Sequence, residues 1–128
     1  MKEKDLTCMF RNWLKANWKS SAAFELKMCK LNTFALSQIA DHQLSNLRMI
    51  NEGLFSYKIP DLGLQNPMDC FTLYKAEAYI VIFFYKPRQP KKFYMIPIVS
   101  IIGLLDDNIK SLSEPRAAEL AEVVGEIN

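Results

Sequence analysis

The spacing of hydrophobic residues predicts an α-helix near the start of the chain and a β-strand directly after it. Between residues 5 and 18, apolar side chains recur at the three- and four-residue spacing of one helix face. That face consists of Leu6, Met9, Phe10, Trp13, Leu14 and Trp18. The next segment, AAFELKM, alternates apolar and polar residues instead. Because successive side chains of a strand point to opposite faces, Glu25 and Lys27 should share one face of this strand.

A second helix is predicted over residues 36–51, with Ser37 as its N-cap and Gly53 as its C-terminal stop. Its apolar stripe takes Leu36, Ala40, Leu47 and Ile50. Gln43 falls in the middle of this stripe. A buried amide needs a hydrogen-bond partner, so Gln43 should find one on the neighbouring sheet or on the backbone.

The second half of the chain reads mainly as strands. LFSYKIP is a short candidate strand, DCFTLYK and AYIVIFFYK should form a hairpin about residues 75–77, and KFYMIPI should pair back. Residues 78–85 are apolar on both faces, as expected of a central strand. Helices follow in VSIIGLLDDNIK and EPRAAELAEVVGEI, the latter with Ser113 as N-cap. The predicted fold class is mixed α/β (α+β), with a central mixed β-sheet flanked by helices.

Composition narrows the class of protein. The 128 residues suit one domain spanning 1–128, and a hydrophobic content of 50% is far from that of a disordered chain. Three widely spaced cysteines without a CxxC motif indicate neither a disulfide framework nor a zinc knuckle. The N-terminus has no apolar signal region, and the most apolar run is too short for a membrane span. We therefore expect a cytoplasmic protein without a membrane partner.

The acid and base in FELK suggest two kinds of site. Glu25 can bind a hard divalent cation through oxygen, and Lys27 on the same face can position water or neutralise charge on a phosphate. The same spacing also occurs in solvated surface ion pairs. The tripeptide alone leaves both interpretations open.

The wider context of this strand resembles a known nuclease family. AFELKMCK leads through LNTFAL into a helix containing IADHQLSNLRMI, and this segment, about residues 22–50, is similar to RecU-like Holliday-junction resolvases of the PD-(D/E)XK superfamily. The resemblance implies a restriction-endonuclease-like fold, Mg²⁺ (or Mn²⁺) as cofactor, branched DNA as substrate in recombination, and a homodimer. It also implies that Gln43 packs beside the active-site strand. The compactness of the chain suggests a phage-encoded enzyme acting in the host cytoplasm.

The position of the second acidic ligand in the sequence departs from the family pattern. PMDCFTLYKAEAYIVIFFYK resembles the family hairpin that carries the catalytic aspartate, which here is Asp69. In the family this aspartate precedes the ExK strand, whereas Asp69 follows Glu25. Either the strand order is rearranged, so that Glu25 and Asp69 hold the metal while Lys27 orients water and Gln43 supports the site, or the site is incomplete. Asp61 is the alternative ligand, and an incomplete site would indicate a non-catalytic DNA-binding or protein-interaction module.

Several basic residues fit contacts with DNA phosphates, although a solvated surface explains any single one of them better. The candidate DNA-binding residues are Arg11, Lys15, Lys19, Lys30, His42, Arg88, Lys91 and Lys92. Trp13 and Trp18 are expected to be helix core rather than base-stacking platforms.

Overall fold

The computed structural model describes residues 1–59 and 70–128. The helices are α1 (Glu3–Asn17), α2 (Asp41–Glu52), α3 (Ile98–Asp106) and α4 (Glu114–Leu120). The strands are β1 (Ala22–Cys29), β2 (Thr33–Ala35), β3 (Leu54–Lys58), β4 (Cys70–Tyr74), β5 (Glu77–Phe84), β6 (Lys91–Pro97), β7 (Ser111–Ser113) and β8 (Val123–Ile127). None of the helices in the described ranges is long and apolar enough to span a membrane.

The central sheet has four strands in the order β1-β5-β6-β8, with β1 parallel to β5 and the other pairs antiparallel. Its middle strand β5 is buried from Ala78 to Phe84, as its two apolar faces predicted. Helices cover both faces of this sheet. The predicted α/β class with a central mixed sheet is therefore confirmed.

Alternation along β5 divides the core into two layers. Tyr79, Val81 and Phe83 pack with Leu6 and Phe10 of α1. The residues between them pack on the other face, together with buried residues of α2 and α3. Phe24, Leu26 and Met28 of β1 belong to the α1 layer, whereas Ala23 and Cys29 belong to the α2 layer.

The predicted hairpin about residues 75–77 is wrong. β4 pairs with β3 in a separate two-stranded sheet, and β5 pairs with β1 and β6. Lys75 takes a positive φ of 45° and its N–H donates to Gly53, while the N–H of Ala76 donates to Ile50. These bonds tie the β4–β5 connection to the end of α2, and the apolar β5 takes the sheet centre where both of its faces are buried.

The second helix begins later than predicted. Residues Leu36–Gln38 form one 3₁₀ turn, and α2 starts at Asp41, so Ser37 is not its N-cap. The side-chain oxygen of Gln43 instead accepts from the N–H of Ala40 at 3.0 Å, which satisfies a backbone donor at the helix start. The predicted stop at Gly53 is confirmed.

The C-terminal segment is a helix followed by a strand rather than one helix. Ser113 caps α4 by accepting from the N–H of Arg116, as predicted, but α4 ends at Leu120. The N–H of Glu122 then donates to Met95, and β8 continues the pairing with β6. Sheet pairing overrides the helix pattern there, because the β-branched pair in VVGEI is well suited to a strand. Similarly, α3 ends at Asp106 and not at Lys110.

Candidate nuclease site

Glu25 and Lys27 form an ion pair on the α2 side of β1. They alternate with Phe24 and Leu26, which pack in the α1 layer, so the predicted shared face is confirmed. The Lys27 Nζ atom lies 3.7 Å from Glu25 Oε1, and the side chains are 12% and 30% exposed, respectively. A solvated surface pair would be far more exposed than this lysine. The pair is therefore built into the edge of the sheet.

Gln43 holds the carboxylate of Glu25 from the neighbouring helix. Its Nε2 donates to Glu25 Oε1 at 2.7 Å, and its own Oε1 accepts from the N–H of Ala40 at 3.0 Å. Both ends of the amide are thus engaged, which fixes its orientation. The polar residue in the apolar stripe of α2 links the start of the helix to β1.

A cavity of about 450 Å³ opens beside this cluster, between β1, α2 and the β3–β4 hairpin. One wall, the polar wall, contains Glu25, His42, Gln43 and Asn46, together with apolar residues of β1 and α2 such as Leu47 and Ile50. The facing wall comes from the hairpin and consists of Phe55, Tyr57, Phe71 and Leu73. The site therefore combines a carboxylate with an aromatic surface in one open cavity.

The described residues supply part of a divalent-cation site. Both contacts to Glu25 fall on Oε1, which leaves Oε2 facing no partner among residues 1–59 and 70–128. A hard cation takes six or more oxygen ligands, several of which can be water. No group of three or more His, Cys, Asp or Glu side chains forms in these ranges. The fit depends on a second carboxylate, and both candidates, Asp69 and Asp61, lie outside the described residues.

The structure brings few of the predicted DNA-binding residues to this cluster. His42 lines the cavity. Arg11 and Lys15 belong to α1, which covers the opposite face of the sheet. Lys19 follows that helix, and Lys30 follows β1.

The basic turn between β5 and β6 lies at the far end of β1. Arg88 is in this turn, and Lys91 and Lys92 begin β6. Glu25 pairs with Ile80, four residues before the Cys29–Phe84 pair that precedes the turn, a distance of about 13 Å along the strand. The turn and the cluster of Glu25, Lys27 and Gln43 therefore lie at different places along β1.

The residues of the hairpin wall are not among the site residues predicted from the sequence. The signal is the alternation in LFSYK and CFTLY, which places Phe55 with Tyr57 and Phe71 with Leu73. The antiparallel register aligns Tyr57 with Phe71 and Phe55 with Leu73, so that all four share one face. What could not be read from the sequence is that this face turns towards Glu25.

Comparisons of the chain with protein-family models, with curated proteins and with solved structures find no match. The resemblance of residues 22–50 to resolvases therefore stays an expectation from the sequence. The geometry of Glu25, Lys27 and Gln43 is the feature that bears on function.

Proposed function

We propose that this protein is a metal-dependent DNA endonuclease that cleaves branched DNA, in the manner of a Holliday-junction resolvase. The observation that carries the proposal is the cluster of Glu25, Lys27 and Gln43 at the edge of an open cavity. The parallel β1–β5 pair and α2 together hold these side chains. Action on branched DNA and as a homodimer is taken from the resemblance of residues 22–50 and belongs to the proposal.

Each side chain has a role in this proposal. Gln43 orients the carboxylate of Glu25 through Oε1, so that Oε2 can bind Mg²⁺ or Mn²⁺ together with Asp69. The cation, when bound, would supply a Lewis acid and lower the pKa of a coordinated water. The ammonium of Lys27 would position the attacking water and offset the negative charge that develops on the phosphate.

The burial of Lys27 supports this role over a purely structural one. A lysine with a 12% exposed side chain loses hydration, and the one ion pair that residues 1–59 and 70–128 give it, at 3.7 Å, compensates only part of that loss. The exposed pair Arg48–Glu52 on α2 shows what an ordinary surface ion pair of this protein looks like, with side chains 57% and 58% exposed.

Cleavage assays on a synthetic four-way junction with and without Mg²⁺ test the proposal. We expect Glu25→Gln and Lys27→Ala each to reduce the cleavage rate by about a hundredfold or more, since each removes a preorganised charge from the site. The matched controls are Glu52→Gln and Arg48→Ala, which make the same chemical changes in the exposed pair on α2. If Glu25→Gln and Lys27→Ala cleaved as fast as these controls, the proposal that this site is a nuclease site would be wrong.

The second ligand is tested by titration calorimetry with Mn²⁺. In the proposed site Asp69→Asn weakens metal binding and cleavage together, whereas Asp61→Asn leaves both unchanged. Unaltered Mn²⁺ affinity in Asp69→Asn would show that the ligand assignment is wrong. The comparison needs no assumption about the DNA substrate.

The alternative is a non-catalytic DNA-binding or protein-interaction module. It is favoured by the ligand set within residues 1–59 and 70–128, where Glu25 belongs to no group of three or more His, Cys, Asp or Glu side chains that could hold a metal. A wild-type protein that binds no Mn²⁺ at millimolar concentration but still binds DNA junctions would establish a DNA-binding module instead of the nuclease.

A further inference from the structure

Three aromatic rings form a row along one face of the β3–β4 hairpin. The ring centroids of Phe55 and Tyr57 are 6.0 Å apart, and those of Tyr57 and Phe71 are 5.8 Å apart, with interplanar angles of 32° and 31°. Tyr57 and Phe71 remain 54% and 45% exposed although they face a cavity. The row therefore offers ring faces that residues 1–59 and 70–128 leave partly exposed.

We propose that this aromatic row is a stacking platform for an unpaired nucleobase. The inference rests on the proposed function and names its substrate class: DNA with an unpaired or unstacked nucleotide next to the phosphodiester that is cleaved. A base stacked on Tyr57 and Phe71 would occupy the cavity that also contains Glu25. The platform would thus place the backbone of that nucleotide near Glu25.

The cavity suits a base because its two walls differ in chemistry. The volume of about 450 Å³ is within the usual range of small-molecule sites. The hairpin wall presents ring faces, on which any base can stack. The polar wall carries Asn46 and His42, whose side chains can donate to and accept from the edge of a base.

The same polar wall argues against a protein partner in this cavity. An apolar segment of a partner or of a second copy would cover the rings, but it would also remove Glu25, His42 and Asn46 from water. Burying a carboxylate without new hydrogen bonds is costly. A nucleotide instead brings an apolar face and polar edges to the two walls.

The tryptophans do not compete for this role. Trp13 lies 4.9 Å from Phe93, and Trp18 lies 5.7 Å from Phe24, both between ring centroids and in the α1 layer, as expected of helix core. In the part of the chain that the structure describes, the exposed rings are those of Tyr57, Phe71 and Tyr74.

Tyr74 provides a matched control because it belongs to the same hairpin but to the opposite face. It is 68% exposed and aligns with Leu54, whereas Tyr57 aligns with Phe71. It is absent from the lining of the cavity. A change at Tyr74 therefore alters an exposed ring of the hairpin without altering the platform.

The experiment measures binding of the full chain to fluorescent oligothymidine and to a blunt duplex, in EDTA so that no metal-dependent cleavage occurs. We expect Tyr57→Leu and Phe71→Leu each to weaken oligothymidine binding by about tenfold or more, the usual effect of removing a stacking ring. Tyr74→Leu should change it less than about twofold, as expected of a ring that no base contacts. Duplex binding should be equal in all three variants.

A second pair of variants, Tyr57→Trp and Tyr74→Trp, keeps an aromatic ring at each position and reports base stacking through tryptophan fluorescence. Oligothymidine should quench the added tryptophan fluorescence of Tyr57→Trp but not that of Tyr74→Trp. Equal behaviour of the two positions in both assays would overturn the inference. So would sedimentation data in which Tyr57→Leu dissociates a dimer that Tyr74→Leu preserves, because the row would then be a contact between copies.

The outcomes separate this inference from the proposed nuclease. A protein that cleaves junctions but shows no difference between positions 57 and 74 would be a nuclease without the platform. A protein whose oligothymidine binding depends on Tyr57 but which does not cleave DNA would have the platform without the catalytic activity.

Discussion

The amide nitrogen of Gln43 lies 2.7 Å from Oε1 of Glu25 and joins α2 to the edge strand of the central sheet. The amide oxygen of the same residue accepts from the N–H of Ala40, at the start of α2. One side chain therefore both begins a helix and orients the carboxylate of the candidate site. Its removal should affect stability and activity by separate routes.

Replacing Gln43 by leucine removes both hydrogen bonds, so that the N–H of Ala40 loses its acceptor and Glu25 Oε1 keeps only its ion pair with Lys27. We expect Gln43→Leu to lower the free energy of unfolding by about 1–3 kcal/mol, measured by chemical denaturation. Ser45→Ala, an exposed change on the same helix, should alter it by less than about 0.5 kcal/mol. Equal stability of the two variants would mean that the Gln43 bonds contribute nothing net.

Neutralising the start of β6 tests whether this end of the sheet contacts DNA. If Lys91 and Lys92 bind phosphates, Lys91→Gln/Lys92→Gln should weaken DNA binding and reduce the slope of log K against log[salt] by about 0.9 per lost contact. Glutamine is preferred to glutamate because Lys92 lies opposite Glu126 in the β6–β8 register.

The matched control for the lysine pair is Lys2→Gln/Lys4→Gln, which removes the same charge from exposed positions at the start of α1. A salt slope that changes equally in the two double variants would show a general loss of charge rather than a contact at the β5–β6 turn.

The phenol of Tyr94 makes the fold sensitive to alkaline pH. Burial, together with the hydrogen bond that its hydroxyl donates to Glu114 at 2.7 Å, raises the pKa of Tyr94 from 10.0 to about 12. Below pH 10 the phenol is protonated in both the folded and the unfolded protein. Between pH 10 and pH 12 it is deprotonated in the unfolded chain but still protonated in the folded protein. Stability from this group should therefore fall between pH 10 and pH 12, by about 1.4 kcal/mol per pH unit.

Unfolding curves over this pH range check the Tyr94 prediction. Tyr94→Phe should have a flatter dependence of stability on pH than the wild type. Glu114→Gln should flatten it only in part, because burial is the larger cause of the pKa shift. If the free energy of unfolding of Tyr94→Phe fell with pH as steeply as that of the wild type, groups other than Tyr94 would cause the loss of stability at alkaline pH.

Gly125 is required by the ring of Phe93 on the adjacent strand. The two residues are aligned in the β6–β8 register, and a Cβ atom at position 125 would fall within that ring. Phe93 is fully buried and packs against Phe10 and Trp13, so it has little room to move. We expect Gly125→Ala to lower the free energy of unfolding by about 1–3 kcal/mol.

The control for Gly125 is its neighbour Val124, which is 54% exposed. Val124→Ala should change stability by less than about 0.5 kcal/mol in the same denaturation assay. A Gly125→Ala variant as stable as this control would show that the Phe93 ring can be displaced without cost.

Features that depend on local periodicity can be read from the amino-acid sequence alone. Alternation in AAFELKM placed Glu25 and Lys27 on one face, and the doubly apolar run at 78–85 identified the central strand. The caps Ser113 and Gly53 were also readable, because a cap depends on the few residues around it. These side chains and backbone groups act over one turn or one strand.

Strand pairing and the surroundings of the Glu25 carboxylate depend on tertiary contacts between distant segments. β4 has the pattern of a strand wherever it pairs, and its partner β3 is selected by the bonds from Lys75 and Ala76 to the end of α2. Likewise, VVGEI becomes a strand because β6 offers an open edge for pairing. The Gln43–Glu25 bond and the aromatic wall across the cavity bring together segments distant in sequence, and no local pattern encodes such distances.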